Sequence, residues 1–498
     1  MPSIAVSLCL TLPWLNPFSF GPTTALVQWL VTLTSLAFVL LWSAQVRLAQ
    51  VTQVTAGAWL AAALISATLG VLQYFGATGA LTPWVNHTEI GEAFANLRQR
   101  NQFATLTNIG LAALLWWRVQ DRLSLSPHWR WAGALAAALL AIGNAASSSR
   151  TGLLQLLLLL GLAWGWQRSG GPRRSDLRPL LLATALTYLM AVFALPLLGG
   201  LDPRATGIVA RLQEVSPICT SRLTLWDNVL HLIAQKPWLG WGWGELSYAH
   251  FITLYPGERF CEILDNAHNL PLHLAVELGL PLALLVCALA VWLVLRARPW
   301  READPTRQLA WSVLAMIALH SMLEYPLWYG PFLLASVLSI CLLWRRSSRL
   351  AGKNSYFWPA TSAWPVWTTI FLLALVAYAG WDYHRVSQIY LPPTLRSPAY
   401  RSNTLDKIAD SRLFANQVRF AELTTTELTP ANAHQVHELA LNMLHFSPEA
   451  RVAEKLIESA TLLGLPDEAL YYLVRYRAAF PDSHASWARE QALKSALQ

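Results

Sequence analysis

Apolar residues are grouped along the chain into eleven runs that polar connections separate. Each run approaches the roughly 20 residues that an α-helix needs to cross a bilayer. Because hydrocarbon offers no hydrogen-bond partner to exposed backbone, spans of this kind must be helical. The pattern therefore predicts an all-α polytopic membrane bundle, with about eleven spans at 4–19, 23–43, 57–76, 103–118, 129–146, 151–167, 178–198, 272–296, 308–324, 326–344 and 364–381.

Two further segments are too long and too polar to serve only as connections. The first, 199–271, lies between the seventh and eighth predicted spans; the second, 382–498, carries 12 basic and 13 acidic residues. Pro448 and Pro481 enclose two predicted helices and stand 33 residues apart, close to the roughly 34-residue period of a tetratricopeptide-like helix pair. We therefore predict a transmembrane domain over 1–381, with 199–271 as a large loop, and a helical domain over 382–498.

Basic residues follow every second predicted span, and this placement predicts the orientation of the chain. They are Arg47; Arg118, Arg122 and Arg130; Arg168, Arg173, Arg174 and Arg178; Arg296, Arg298, Arg301 and Arg307; and Arg345, Arg346, Arg349 and Lys353. Since arginine and lysine favour cytoplasmic loops, we expect the N-terminus inside and both large segments outside. The net charge of +8 then reflects topology and does not indicate nucleic-acid binding.

Polar side chains collect at the predicted outer ends of the spans. They include Arg98, Arg100, Asn101, Ser147, Ser148, Ser149, Arg150, Arg211, Arg222, His268, Asn269, Glu324 and Tyr325. A transporter would instead concentrate polar groups near the bilayer midplane, so this distribution favours a reaction at the outer interface. An outward arginine is equally typical of lipid-phosphate binding. Arg150 differs because a very short turn between two apolar runs holds it at the interface.

The residue types at this edge restrict the chemistry. The chain contains no Asp-x-Asp pair and no His and carboxylate cluster with metal-ligand spacing. If a phosphate group is bound here, arginines must take the place of a metal, and a planar guanidinium binds diphosphate oxygens in a bidentate manner. Activation of a hydroxyl would then require His or Glu.

These residues occur within a series of short motifs. The chain reads Gln99-Arg100-Asn101-Gln102, Ser149-Arg150, Arg222 to Trp226, Lys236-Pro-Trp-Leu-Gly-Trp-Gly-Trp-Gly-Glu245, Ala267-His268-Asn269-Leu270, Glu277-Leu-Gly279 and His320-Ser-Met-Leu-Glu-Tyr-Pro326. In combination they resemble the PglL-type bacterial protein O-oligosaccharyltransferases, within the superfamily of O-antigen ligases and polymerases. The resemblance covers about 95–345 and the outer C-terminal domain.

The resemblance implies a periplasm-facing glycosyltransferase of the bacterial inner membrane that uses no metal, nucleotide or other cofactor. It would transfer a preassembled glycan en bloc from undecaprenyl diphosphate to Ser or Thr hydroxyls of a secreted or periplasmic protein such as a pilin. By analogy, Arg150 and Arg222 hold the diphosphate, and His268 deprotonates or orients the acceptor hydroxyl. The residues expected around these three are Arg100, Asn101, Asn269, His320, Glu324 and Tyr325.

Other functions share part of this pattern. An O-antigen ligase or polymerase would use the same lipid-linked donor, but the ligases usually lack an outer domain like 382–498, which suits a protein acceptor. A flippase for lipid-linked oligosaccharides is disfavoured because the spans are poor in polar residues. A purely structural, partner-binding membrane protein would leave the placement of Arg150, Arg222 and His268 on one face unexplained.

Cysteine usage adds one expectation. The five cysteines form no Cys-x-x-Cys pair, so a structural zinc site is not indicated. Cys219 and Cys261 are the two cysteines of the segment 199–271. Because the periplasm is oxidising, we expect these two residues to form a disulfide.

Overall fold

The computed structural model describes residues 2–23, 25–43, 46–120, 127–169, 176–213, 217–344 and 363–497. These residues form α-helices and short 3-10 turns, with no β-strand among them. The α-helices are α1 Pro2–Leu15, α2 Leu26–Ser43, α3 Leu48–Tyr74, α4 Arg100–Val119, α5 Pro127–Ala146, α6 Arg150–Ser169, α7 Arg178–Leu198, α8 Gly207–Gln213, α9 Arg222–Gln235, α10 Leu246–Ile252, α11 Leu270–Leu278, α12 Leu280–Ala297, α13 Pro305–Ser321, α14 Gly330–Trp344, α15 Trp364–Ser387, α16 Thr404–Ile408, α17 Ala415–Thr425, α18 Ala433–Phe446, α19 Ala450–Leu462, α20 Pro466–Ala479 and α21 Pro481–Leu497.

Several of these helices can cross a membrane, and the all-helical, multi-pass prediction is confirmed. Within the described ranges, five are long and apolar enough: Leu26–Ser43, Ala49–Tyr74, Arg178–Leu198, Leu280–Arg301 and Trp364–Tyr390. Three shorter apolar helices are Ser3–Leu15, Arg130–Ala146 and Gly330–Trp344. The full number of eleven spans stays a prediction. Seven of the basic residues that predict the orientation lie outside the described residues: Arg122, Arg173, Arg174, Arg345, Arg346, Arg349 and Lys353.

The predicted span 272–296 is wrong at its start, because the chain breaks at Gly279 between α11 and α12. Gly279 has φ of 84°, a left-handed conformation that favours glycine. A side chain at this position would also collide with the backbone of Trp238. The backbone N–H of Leu280 donates to the carbonyl of Pro237 at 2.8 Å, so residues 237–240 fix the break. The apolar run is continuous in sequence but forms two helices.

The chain forms two compact units, each made of two separate stretches. The first unit comprises Met1–Glu214 and Leu293–Tyr378. In its core, α3 packs against α1, α4 and α5. Ala62, Ala63 and Ala67 of α3 are fully buried in the core, and small residues of this kind let membrane helices approach closely.

The second unit comprises Val215–Trp292 and Ala379–Gln498. Phe251 of α10 belongs to the same apolar cluster as residues of α17 to α20. Polar contacts support this packing, since His445 bonds Glu245 at 2.7 Å and stacks on Tyr248 with ring centroids 3.8 Å apart. The stretch Val215–Trp292, which includes most of the predicted loop 199–271, therefore packs with the C-terminal segment. The two helices predicted between Pro448 and Pro481 correspond to α19 and α20, while the tetratricopeptide-like relationship and the domain boundary at 381 stay predictions.

Candidate active site

In the first unit, Asn101 joins two of the predicted site segments. Ser149, in the turn before α6, donates its hydroxyl to Asn101 Oδ1 at 2.6 Å. The Asn101 amide in turn donates to Glu324 Oε1 at 3.4 Å. Ser149 and Glu324 are both buried, so the hydrogen bond that each makes to Asn101 is stronger than the same bond would be in water. The start of α4, the turn before Arg150 and the residues after α13 thus meet at one amide.

The turn before Arg150 has a conformation that its serines hold in place. Ser148 has φ of 53°, and Ser147 accepts a hydrogen bond from the backbone N–H of Ser149 at 3.2 Å. Ser149 Oγ then accepts from the N–H of Gly152 at 2.9 Å, which satisfies a donor in the first turn of α6. Arg150 is the first residue of α6 and is exposed. A buried, hydrogen-bonded turn therefore presents one exposed guanidinium.

Below this turn, a buried polar network links α4, α6 and α13. Thr105 Oγ1 lies 3.0 Å from both His320 Nδ1 and Gln155 Oε1. Gln155 Nε2 donates to the carbonyl of Met316 at 2.8 Å. His320 and Gln155 are fully buried, so this network contributes to the packing of the three helices. A role of His320 close to the substrate site stays a prediction. Thr105 and Gln155 are not among the residues predicted from the sequence, although a polar residue inside an apolar run is a signal of function.

The other two predicted residues of the first unit have separate partners. Arg100 forms an ion pair with Glu92, a residue that the sequence analysis did not select. Tyr325 stacks on Tyr329, with ring centroids 5.9 Å apart. Neither contact reaches Asn101, although Arg100 precedes it directly in the chain.

In the second unit, the helix that begins with Arg222 contacts the loop that carries His268. Ser221 caps α9 by accepting from the N–H of Thr224 at 3.1 Å. One turn after Arg222, the indole N–H of Trp226 donates to the carbonyl of Ala267 at 3.1 Å. The start of α9 and the residue before His268 are therefore directly connected.

A disulfide and an asparagine hold the same two segments together. Cys219 and Cys261 are joined by a disulfide, with their Cα atoms 5.3 Å apart. Asn228 of α9 donates to the carbonyl of Glu258 at 2.9 Å and accepts from the N–H of Phe260 at 2.8 Å. Cys219 lies three residues before Arg222, so the cross-link fixes the approach to α9.

His268 occupies a constrained position at the start of α11. Its φ is 51°, a region that side chains other than glycine adopt infrequently. Its N–H donates to Asn266 Oδ1 at 2.9 Å. Asn269 caps α11 by accepting from the N–H of Leu272 at 3.1 Å. Asn269 therefore positions the helix that follows His268, and the half-buried imidazole lies within electrostatic range of Asp265 and His273.

Two buried ionisable groups follow His268 on α11, before the span that α12 forms. His273 Nε2 lies 3.5 Å from Glu277 Oε2. Burial raises the pKa of Glu277 to about 7, and the backbone N–H groups of Gly244 and Leu246, which donate to it, limit the rise. Burial, and after it the electrostatic interaction with His268, lowers the pKa of His273 to about 4. Near neutral pH, His273 is uncharged and Glu277 titrates.

Glu277 predicts a specific pH dependence of stability. Because its pKa is raised in the folded protein, its contribution to stability is present below the ordinary value of 4.5 and is lost as pH rises through about 7. Glu277→Gln removes this titration and keeps an acceptor for the two backbone donors. We expect the variant to gain on the order of 2–3 kcal/mol relative to the wild type between pH 5 and pH 8.

Thermal unfolding of the detergent-solubilised proteins from pH 5 to pH 8 measures this difference. The exposed Glu258 provides the matched control, and Glu258→Gln should follow the wild type at every pH. Parallel curves for Glu277→Gln and the wild type would contradict the raised pKa.

Arg150 belongs to the first unit, whereas Arg222 and His268 belong to the second. The structure brings Asn101 together with Ser149 and Glu324, and the start of α9 together with the loop of His268. Convergence of Arg150, Arg222 and His268 on one substrate stays a prediction.

Three sequence families match successive parts of the chain. A family described as protein glycosylation ligase matches residues 93–117, which contain Arg100 and Asn101. The O-antigen ligase family matches 135–287, which contain Arg150, Arg222 and His268. A family described as virulence factor membrane-bound polymerase, C-terminal, matches 308–494.

Two curated proteins of Acinetobacter baylyi are similar to the chain. A general O-oligosaccharyltransferase is 25% identical over 344 residues, which is 66% of this chain and 56% of that protein. A ComP-specific O-oligosaccharyltransferase is 25% identical over 249 residues, 49% of this chain and 42% of that protein. The chain thus matches about half the length of these relatives. Together with the family matches, these similarities confirm the resemblance found in the motifs: the chain is similar to the PglL-type O-oligosaccharyltransferases, within the superfamily of O-antigen ligases.

Proposed function

We propose that this protein transfers a preassembled glycan en bloc from undecaprenyl diphosphate to Ser or Thr hydroxyls of a secreted or periplasmic protein, such as a pilin. Two relatives that carry the name O-oligosaccharyltransferase support this class of reaction. The membrane-spanning helices suit a donor with a long lipid tail. The protein would be a metal- and nucleotide-independent glycosyltransferase.

One observation carries the proposal most strongly. The hydrogen bond from Trp226 to Ala267 connects the helix that starts with Arg222 to the loop of His268. A fixed cation and a histidine therefore lie on adjoining segments inside the region that matches the O-antigen ligases. Preorganised charge of this kind is the main means by which enzymes stabilise a departing anion.

The proposed reaction is a displacement at the anomeric carbon of the first sugar. The acceptor hydroxyl oxygen forms a bond to this carbon, and the bond from the carbon to the diphosphate oxygen breaks. The electron pair leaves with undecaprenyl diphosphate, and the hydroxyl proton passes to His268. Arg150 and Arg222 bind the diphosphate and stabilise its negative charge as it departs, since guanidinium groups stay charged throughout.

The hydrogen bonds around Arg150 support its assignment to the diphosphate. Asn101 and Ser149 fix the turn before Arg150. Because the backbone there is already ordered, less conformational freedom is lost when the guanidinium binds the donor. Glu324, which Asn101 contacts, would position this amide without touching the donor. In this assignment Asn269 positions α11.

We further propose that the protein lies in the bacterial inner membrane with its N-terminus cytoplasmic and its C-terminus periplasmic. The basic residues after alternate spans support this orientation. It places the start of α9, His268 and the helices α16 to α21 in the periplasm. Lipid-linked donor and protein acceptor then reach the protein from the same side.

The C-terminal helices are proposed to dock the protein acceptor. Leu470 and Val474 stand one turn apart on α20 and are 58% and 44% exposed. Apolar side chains on one exposed face are typical of a protein-binding surface. We expect the double variant Leu470→Ser, Val474→Ser to lose at least about tenfold in the rate of transfer to a folded acceptor. The variant removes two apolar contacts that the bound acceptor would bury.

Transfer to a short serine-containing peptide should stay near the wild-type rate in the same variant, since a peptide needs no docking surface. Leu413→Ser changes a residue that is similarly exposed, at 47%, and serves as the control. An unchanged rate with the folded acceptor would contradict the docking role of this face.

The proposed function is tested in cells that make an undecaprenyl-diphosphate-linked glycan and a periplasmic acceptor. Expression of this protein should add the mass of the complete glycan to Ser or Thr of the acceptor, as measured by mass spectrometry of the intact protein. Cells without the protein provide the baseline. Modification of lipid A–core in place of protein would instead establish O-antigen ligation and overturn the proposal.

A further inference from the structure

The first unit contains an open cavity of about 630 Å³ that the sequence analysis did not anticipate. Its volume lies within the range of about 300–1,000 Å³ that is typical of small-molecule sites. Its charged lining residues are Glu89, Glu92, Arg100, Arg204 and Arg211. Ser148 also lines it, and this residue belongs to the turn that presents Arg150. The cavity therefore borders the turn to which we assign the diphosphate.

The walls of the cavity are held in place by buried hydrogen bonds. Gln73 is fully buried; its amide N–H donates to the carbonyl of Asn86 at 2.8 Å, and its carbonyl accepts from the N–H of Ala95 at 2.6 Å. These bonds hold the segment that carries Glu89 and Glu92. Gly91, with φ of 88°, lies so close to Leu201 that a side chain there would collide with it. The segment of Glu89 and the segment of Arg204 thus touch at Gly91.

The charges of the lining restrict the class of ligand. Arg100 is paired with Glu92, so the cavity combines carboxylate acceptors with guanidinium donors. Three guanidinium groups and two carboxylates line the cavity. A bare phosphate or diphosphate would meet repulsion from both carboxylates, and the charged lining opposes a lipid chain. A sugar hydroxyl both donates and accepts hydrogen bonds, as the hydroxyls of serine and threonine do. Adjacent hydroxyls on a ring therefore match this mixture of donors and acceptors.

We propose that this cavity binds the sugar residues that directly follow the diphosphate in the lipid-linked donor. The inference rests on the proposed function and assigns its sugar-binding subsite. Arg204 donates to ring hydroxyls from one wall, and Glu89 accepts from them on the other. The glycan is held beside the turn of Arg150, so the bond that breaks, between the anomeric carbon and the diphosphate oxygen, is held close to this guanidinium.

The experiment compares the binding of two lipids to the purified protein in detergent. One is undecaprenyl diphosphate that carries the oligosaccharide, and the other is undecaprenyl diphosphate without sugar. We expect Arg204→Gln and Glu89→Gln each to weaken binding of the glycan-bearing lipid about tenfold, the loss that corresponds to one charge-assisted hydrogen bond. Binding of the sugar-free lipid should stay unchanged. Arg130→Gln, at an exposed residue on the predicted cytoplasmic side, is the control.

The outcomes separate this inference from the proposed function. If the wild type binds both lipids and the two variants weaken both equally, or weaken neither, the cavity is not the sugar subsite. If the wild type binds neither lipid, the proposed donor itself is wrong and the inference fails with it. Glu89 and Arg204 are exposed, and an unchanged thermal unfolding profile excludes misfolding as the cause.

Discussion

Replacing His268 by alanine is expected to reduce glycan transfer by about two to four orders of magnitude while the lipid-linked donor still binds. In the proposed reaction, this imidazole accepts the proton of the acceptor hydroxyl, which Arg150 and Arg222 cannot do because they stay protonated. Donor binding should be retained in this variant, because it depends on Arg150 and Arg222, which are unchanged. Single-turnover transfer and equilibrium binding of the donor, measured on the same preparation, test both halves of the expectation.

The positive φ of His268 requires care in the design of this experiment. Alanine is strained in this region, so His268→Asn, a residue that adopts it more readily, is a second variant. Both variants should lack transfer, since neither supplies a base. His128, exposed at the start of α5 on the predicted cytoplasmic side, gives the control variant His128→Ala. Transfer near the wild-type rate in both His268 variants, at equal expression, would exclude the general-base role.

Alanine at Arg150 or Arg222 is expected to have a different signature, in which donor binding falls together with turnover. A hydrogen bond to a charged group contributes about 1.5–3 kcal/mol, which corresponds to a loss of roughly 10- to 150-fold in affinity. Arg150→Lys and Arg222→Lys should recover part of the binding, because lysine keeps the charge but not the bidentate geometry. The measurement is the affinity for sugar-free undecaprenyl diphosphate, which isolates the diphosphate contact.

Arg98→Ala is the matched control, since Arg98 is another exposed arginine on the predicted outer side and contacts the backbone of Pro17. It should bind the donor as the wild type does. Equal donor affinity in the wild type and the Arg150 and Arg222 variants would show that these side chains do not hold the diphosphate.

Much of the fold is predictable because long apolar runs have one stable solution in a membrane. The runs correspond to helices, and charge placement gives an orientation without any structure. The break at Gly279 is not predictable by the same argument, since Leu280 continues the apolar pattern without interruption. What breaks the helix is the backbone of Trp238, some forty residues earlier in the chain, and hydropathy contains no information about that contact.

The site is predictable in its residue types and less so in its contacts. The motifs select Arg150, Arg222 and His268, but they do not reveal that Trp226 connects the last two segments. Arg100 and Asn101 are adjacent in sequence, yet one pairs with Glu92 and the other with Ser149 and Glu324. Successive residues of a helix project in different directions, and their partners come from tertiary packing. Thr105 and Gln155 each interrupt an apolar run, but the sequence does not show that their side chains meet.

The two-part composition of the second unit has a consequence for how the protein is made. Residues 215–292 leave the ribosome well before 379–498, and the helices α13 and α14 are synthesised between them. During that interval Phe251 lacks the residues of α17 to α20 that cover it in the finished protein. Exposed apolar surface of this kind promotes aggregation during biosynthesis. We therefore expect production of this protein to depend on chaperones that shield the early segment until 379–498 has been translated.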